Sequence, residues 1–483
     1  MIIAESYRYL CDSVIIKGAI VRTPWNRLIF AHQNPPLPSL IQLSRRRAIS
    51  GGTAALSTTT TLAGCGVNPR GSVYTQALHA NTELSRRLIN ASELSIGGEI
   101  LNITLLRRFY ARYDFQPVWT TRQTQADSLF DAVLRAGDQG LNPGMFHANL
   151  LQRGATLPPL DLELLLSDAF LSYGGALAHG AVPVKLRGPN ETLTPGPIDL
   201  VAALDVAISS PEPGRAIEAL APTTLSYLTL RRAMKLDRAA ATAGDKTAIR
   251  RVRKIEVNLE RERWLPRPLP LERVWVNVAN ERLVFYRADE PVFFTRVVVG
   301  QDVERNQSPE FRATIKSSFF NPPWVIPKDI VEREILPDIL HDPNYLKKND
   351  MIMLADGDAE QLPGPDAGLG LIMFDMPNRF DVYLHDTPDR EIFNLADRRI
   401  SHGCIRVQHP RELASLLLRQ PIGVINREIE QGHTTEHYLP VPVPVFVVYQ
   451  TVFLDTSGRL QFRPDFYKRD AEIWRQLQRN SQW

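Results

Sequence analysis

Cysteine is scarce: the 483 residues hold three, Cys11, Cys65 and Cys404. They are too few and too far apart for a disulfide framework, so each needs its own explanation. Charge of one sign is scarce as well. The net charge is only +3, and residues 1–65 carry seven Lys/Arg against Glu5 and Asp12, which leaves the remainder slightly acidic. Such a chain lacks the electrostatic footprint of a nucleic-acid binder, and no nucleic-acid partner is expected. It has no internal repeat and no nucleotide-binding motif. With 44% hydrophobic and 23% charged residues, neither wholesale disorder nor a multispanning membrane protein fits. The length allows two to four domains.

What is present begins with an address. "SRRRAISGGTAALSTTTTLAGC", residues 44–65, runs from basic to mildly apolar to small residues, the order of a secretion signal. Arg45 and Arg46 resemble the pair of a twin-arginine export signal, and Leu62-Ala63-Gly64-Cys65 resembles a bacterial lipobox in which Cys65 is lipidated. Lipid chains on Cys65 would hold the protein at a membrane, each buried CH₂ adding about 0.8 kcal/mol. The plainer alternative is a Thr-rich leader with a chance LAGC. The run is too short and polar to span a bilayer. Residues 1–43 have no signal-like order and read as an overlong start. The expectation is export, to a periplasmic, membrane-anchored location.

Residues 66–78 read as a tether. Apolar residues recur three and four apart in "TELSRRLINASEL", "LLRRFYARYD", "ADSLFDAVLRAG" and "LELLLSDAFLSYGGALAHG", the helical period. After Pro270 the period becomes two, with a hairpin signal around Ala279-Asn280-Glu281 and further strands in "PVFFTRVVVG", "EFRATIKSSFF", "GLGLIMFD", "FDVYLHD" and "PVPVFVVYQTVFLDTSGRLQFR". The expected fold class is α+β. It comprises a helical scaffold domain (79–235), a linker helix (236–270) and a mainly β catalytic domain (271–455) interrupted by a helical capping insertion (321–355). A C-terminal strand and helix (456–483) are expected to pack on the catalytic domain.

The chemistry concentrates in "SHGCIRV", residues 401–407. A free thiol with pKa near 8.5 is only a few per cent thiolate at neutral pH, so a cysteine nucleophile wants a histidine beside it. His402 is adjacent in sequence but points elsewhere unless the backbone turns. His385, at the end of a separate strand, can be aimed across at the sulfur and is the expected base. Asp386, the backbone or another carbonyl would orient its ring. Gly403 gives the chain freedom to turn at the nucleophile. The Cys404 amide, with that of Gly403 or His402, can form an oxyanion hole, one donor of which is typically worth about 10²–10³ in rate. Arg406 alternates outward, where its planar fork suits a carboxylate. The competing readings are a buried structural cysteine and a metal site of Cys404, His402 and His385, which lacks an evident fourth ligand.

"YLHDTP", fifteen residues and then "SHGCIRV" resemble the signature of L,D-transpeptidases with a YkuD-type catalytic domain. The resemblance continues in "RRFYARYDFQPVW", "IEVNLERERWLP", "FFNPPWVIP" with "DPNYL", and the C-terminal strands, and looks like the large, capped periplasmic subfamily. It implies Cys404 as nucleophile, His385 as base, Ser401, His402 and Gly403 around the oxyanion, and a cap at about 321–355 over the substrate. It implies no cofactor and no metal. The implied substrate is a peptidoglycan stem peptide: Cys404 attacks the third-residue carbonyl, D-alanine leaves, and an amine of a second stem resolves the thioester into a 3→3 cross-link. Resolution by water or by a lipoprotein lysine, or a non-catalytic wall-binding scaffold, are the alternatives, and other cell-wall enzymes are candidate partners. One departure is that "RRAMKLDRAAATAGDKTAIR" (231–250) leaves no room for the small peptidoglycan-binding domain many such proteins carry.

Other signals carry less. His433-Thr434-Thr435-Glu436-His437 spells the inverted zinc-protease motif H-x-x-E-H, but its surroundings are hardly helical and a loop is expected. Trp324, among prolines, reads as an anchor for the cap neck, with substrate contact as its second role. Tyr383 is kept as a substrate-binding candidate, although it is expected to face the opposite side of its strand from His385 and pack in the core. His409 is expected to help start the helix after the nucleophile. His147 has no evident partner.

Overall fold

A computed structural model describes residues 83–479 and, before them, the antiparallel strands Ser13–Ile16 and Ala19–Arg22. The export signal, Cys65 and the tether at 66–78 lie outside the described residues. The strand pair belongs to a unit of its own.

The fold is α+β. Its N-terminal part is helical: α1 (Ile103–Tyr110), α2 (Gln123–Leu134), α3 (Pro159–His179), α4 (Leu200–Ile208) and α5 (Leu225–Thr242). A short hairpin, Leu94–Ile96 with Glu99–Leu101, accompanies them. Helix α3 is buried on every side from Glu163 to Ala178, as a helix apolar all round must be. The carboxylates buried on it find partners, whereas the Tyr173 hydroxyl is buried without one. Glu163 accepts from the Val118 and Trp119 amides at 2.6 and 2.9 Å. Asp168 receives His147 Nε2 at 2.8 Å while Glu99 receives Nδ1 at 2.6 Å, the partners that the sequence did not reveal.

The expected boundary at 235/236 falls inside α5, which runs unbroken to Thr242. The break comes at Gly244, whose φ of +90° ends the helix. Asp245 then caps α6 (Lys246–Arg263), accepting from the Thr247 and Ala248 amides at 2.7 and 3.2 Å. Helix α6 is bolted to the β region by Asn258 to Thr451 (2.8 Å) and Gln450 to Glu262 (2.9 Å).

The β region is one nine-stranded sheet. Its strands are β1 (Arg273–Asn277), β2 (Arg282–Arg287), β3 (Glu290–Gly300), β4 (Phe311–Phe320), β5 (Ile372–Asp375), β6 (Leu384–His385), β7 (Arg399–Ser401), β8 (Ile405–Val407) and β9 (Thr435–Val448). Their order is β7-β3-β8-β6-β5-β4-β9-β1-β2, and β2 pairs back onto β3, closing the sheet on itself. The hairpin expected at 279–281 is there, with Glu281 at φ +50°. One face buries Val274, Phe285, Val297, Ile315, Phe374, Leu384, Ile405 and Val445. Leu413 and Leu417 of α7 (Pro410–Leu418) and Ile425 of α8 (Ile422–Glu430) join the same core. Alternation along the strands sends the intervening side chains to the other face.

The insertion after β4 is not purely helical and does not stop at 355. Strands Trp324–Ile326, Met351–Met353 and Ala359–Gln361 form a three-stranded sheet under a helical run from Lys328 to His341. Its core is Ile326, Val331, Ile335 and Ala359. The C-terminal helix, Asp470–Leu477, rests on α6 through Trp474 to Glu256 (3.1 Å) and Arg261 to Asp470 (2.6 Å), and on the β region, where Thr451 donates to Asp470 at 2.8 Å.

Candidate active site

Two short parallel strands place the two residues in question. In β6 and β8, Leu384 pairs with Ile405 and His385 with Arg406, and the Ile405 amide donates to the Tyr383 carbonyl at 2.9 Å. Leu384 and Ile405 point into the core. Tyr383, His385, Cys404 and Arg406 therefore share the opposite face, Cys404 level with Tyr383 and one step from His385. Cys404 is partly exposed and is the free cysteine among the described residues.

Cys404 sits on a turn braced from both sides. Residues 402–404 join β7 to β8, and Gly403 takes φ +118°, a region closed to most side chains. Ser401 Oγ donates to the Cys404 carbonyl at 2.6 Å and accepts from the Gly403 amide at 3.2 Å. Ser308 Oγ donates to the Gly403 carbonyl at 2.8 Å. The Gly403 amide is thus engaged, while among the described residues the Cys404 and His402 amides of this turn donate to no partner. Ser401 braces the turn from within and is 2% exposed.

His385 Nδ1 donates to the Asp386 main-chain carbonyl at 2.6 Å. That fixes the tautomer and leaves the Nε2 lone pair for a proton. The Asp386 carboxylate does not orient the ring, as one reading of the sequence had it. It accepts from the Leu371 amide at 3.0 Å and from Arg390 at 2.5 Å, tying down the loop that enters β5. Burial, then the Arg406 charge, lowers the His385 pKa from 6.5 to about 3. Burial pushes the Cys404 thiol up, against a hydrogen bond from the Tyr383 amide and the Arg406 charge, which pull it down. The thiol donates to the Asp381 carbonyl at 3.8 Å. The His385 ring and the Cys404 thiol thus hydrogen-bond to the Asp386 and Asp381 carbonyls and not to each other.

Arg406 is where the outward alternation places it, and among the described residues its guanidinium has no hydrogen bond or ion pair; Nε is buried without a partner. Burial lowers its pKa. Tyr383 is a correction. Residues two apart in a strand share a face, so it stands beside Cys404, close enough for the sulfur's charge to raise its pKa further above what burial does. It packs with Trp324, Phe319, Leu369 and Met373. Trp324 joins that cluster to the core of the cap, an anchor at the cleft edge. His402 turns away from the sulfur and binds Glu334 of the cap, Nε2 to Oε1 at 2.7 Å. Sequence reasoning missed Ser308, Asp381 and Glu334, none of which lies in a motif.

Among the described residues no group of His, Cys, Asp and Glu is arranged to hold a metal ion. The H-x-x-E-H stretch is not a loop throughout: Glu436 and His437 lie in β9, where His437 stacks on Phe320 at 4.5 Å and Ser317 donates to Glu436 at 2.7 Å. His409 makes no capping hydrogen bond for α7; its ring lies 3.6 Å from Glu412.

Comparison with known proteins agrees with this geometry. Residues 272–443 match the YkuD family, described as the L,D-transpeptidase catalytic domain, and residues 104–234 match the scaffold domain family. A Haemophilus influenzae protein named "Putative L,D-transpeptidase" is 30% identical over 222 residues, 41% of this chain and 45% of that protein, so the match spans under half of the relative's length. A solved structure titled "Structure of the Ldtfm-avibactam carbamoyl enzyme" is 13% identical and covers 37% of this chain and 49% of that one. Its TM-score of 0.20 is too low to carry an argument. Residues 104–234 thus resemble a scaffold domain and residues 272–443 an L,D-transpeptidase catalytic domain.

Proposed function

We propose that this protein is a peptidoglycan L,D-transpeptidase that works by cysteine acyl transfer. The observation that carries the reading is the shared face of β6 and β8, with His385 Nδ1 locked to a carbonyl and Cys404 one step away. Nε2 takes the thiol proton as sulfur bonds to the third-residue carbonyl carbon of a donor stem peptide. The tetrahedral oxyanion lies against the Cys404 and His402 amides. Collapse breaks the amide C–N bond, and the same proton leaves on the nitrogen of D-alanine. The thioester keeps the energy of that bond, so no nucleotide is needed. A side-chain amine of a second stem attacks the thioester carbon, the C–S bond breaks, the amine's proton passes through His385 to sulfur, and a 3→3 cross-link results.

Arg406 supports the same reading, because an unpaired, half-buried guanidinium is costly without an anionic partner. A stem peptide supplies carboxylates. Water must be kept from the thioester until the amine arrives, which gives the cap its role. Export and lipidation at Cys65 belong to the proposal on the sequence alone.

Incubation of the protein with a tetrapeptide-bearing muropeptide, followed by mass analysis, tests it. Release of D-alanine with a 3→3 dimer is expected, and both disappear in Cys404→Ala. Release without dimer would make the enzyme a carboxypeptidase. Dimer formation by Cys404→Ala would end the proposal.

A further inference from the structure

The catalytic face carries a second charge with nothing to pair with. Asp375 ends β5, where Met373 pairs with His385 and Phe374 with Leu384. Phe374 and Leu384 belong to the core, so Asp375 lies on the His385 face, level with Tyr383. Tyr383 in turn is level with Cys404. Cys404, Tyr383 and Asp375 therefore form one row across three neighbouring strands, and a spacing of about 4.8 Å per strand puts Asp375 on the order of 10 Å from the nucleophile's strand.

Among the described residues the Asp375 carboxylate accepts no hydrogen bond and meets no cation, and its Oδ1 is buried without a partner. Glu436, on the same face at the next strand but one, adds negative charge and is itself held by Ser317. Burial and the Glu436 charge raise the Asp375 pKa from 3.8 to about 6. Proteins pair buried carboxylates, and one left unpaired is unfavourable unless a ligand supplies the partner. The opposite charge on this face, Arg406, is unpaired too among the described residues, one step along β8 from Cys404 and level with His385. The face thus offers Cys404 a carboxylate two strands away and a guanidinium on its own strand.

We propose that Asp375 is a specificity-determining residue that binds the side-chain ammonium of the donor's third residue, a diamino acid, while Arg406 holds a carboxylate of the same peptide. The proposal rests on the stem-peptide reading above. Distance selects donor over acceptor: an acceptor amine must reach the thioester carbon on Cys404, whereas an ammonium at Asp375 is on the order of 10 Å away. A diamino-acid side chain is long enough to reach that far with its own carbonyl at the sulfur. Held there, the donor's amine is also kept from attacking its own thioester and closing a lactam.

The test compares two donor peptides, one with a free side-chain amine and one with that amine acetylated, by the rate of D-alanine release. The wild-type protein is expected to prefer the free amine by roughly 10- to 100-fold in kcat/KM, the range of one charge-assisted hydrogen bond. In Asp375→Asn the ratio falls to within about threefold of one, and Asp375→Ala behaves alike. The melting temperature of Asp375→Asn at pH 7 is expected to be no lower than wild type, since an unpaired carboxylate has been removed. A retained preference in both variants, or a lower melting temperature with parallel loss on both peptides, overturns the assignment. If the wild-type protein releases D-alanine from neither peptide, the functional reading fails instead.

Discussion

His385 and Cys404 rest as neutral groups on one face, and this has a measurable consequence. The His385 pKa falls from 6.5 to about 3 through burial and the Arg406 charge. A value that low makes protonating this imidazole harder than in water by roughly 5 kcal/mol. At pH 6 only about one ring in a thousand carries the proton. The thiol is pushed up as well. A thiolate–imidazolium pair is therefore not the resting state, and deprotonation of sulfur awaits substrate. Iodoacetamide provides the assay, with the rate of Cys404 alkylation followed by intact-protein mass from pH 4 to 10. The rate should be low and should climb only above pH 8, with no step near 6.5 and no plateau between pH 5 and 7. A fast, pH-independent rate across that interval would mean that the ion pair is preformed, and the electrostatic account of the site would be wrong.

The cap and the scaffold offer further tests. Glu334→Gln weakens the contact between the cap and His402, 2.7 Å in length. Because both partners are more than a third exposed, stability should change by under about 1 kcal/mol, while KM for a donor peptide rises more than kcat falls; an unchanged KM would remove the cap from substrate binding. In the scaffold, burial alone would lower the His147 pKa, but hydrogen bonds to Asp168 and Glu99 overcome it and raise the value to about 9. A raised folded-state pKa stabilises fully below pH 6.5 and loses its contribution as pH passes 9. Urea unfolding of wild type and His147→Gln should accordingly converge between pH 6 and 10 by about 3 kcal/mol, and a constant difference would refute the linkage.

The site was legible in outline because His385, Ser401, Gly403 and Cys404 stand at fixed spacing on two strand ends, and strand period told the core face from the open one. What escaped lay in backbone groups and distant pairings. The Asp386 carbonyl that holds His385 has no sequence signature, since every residue carries one. Tyr383 was misplaced although its spacing of two from His385 dictates a shared face. The cap strands, three residues each, are too short for any period to register. The break at Gly244-Asp245 carried a readable signal, a glycine before a capping aspartate, but the boundary was set eight or so residues early inside a continuous helix. Asp375 reads as the polar end of "LIMFD"; its isolation depends on β4, β6 and β9, elements far apart in the chain.

The central claim is that the imidazole of His385 activates the sulfur of Cys404 for attack on a stem-peptide carbonyl. Tandem mass spectrometry of the protein quenched early in its reaction with a donor tetrapeptide tests it most directly. The account predicts an adduct of the peptide less D-alanine on Cys404, and its loss by at least about 100-fold in His385→Gln. An adduct on another residue, or one formed undiminished in His385→Gln, contradicts it.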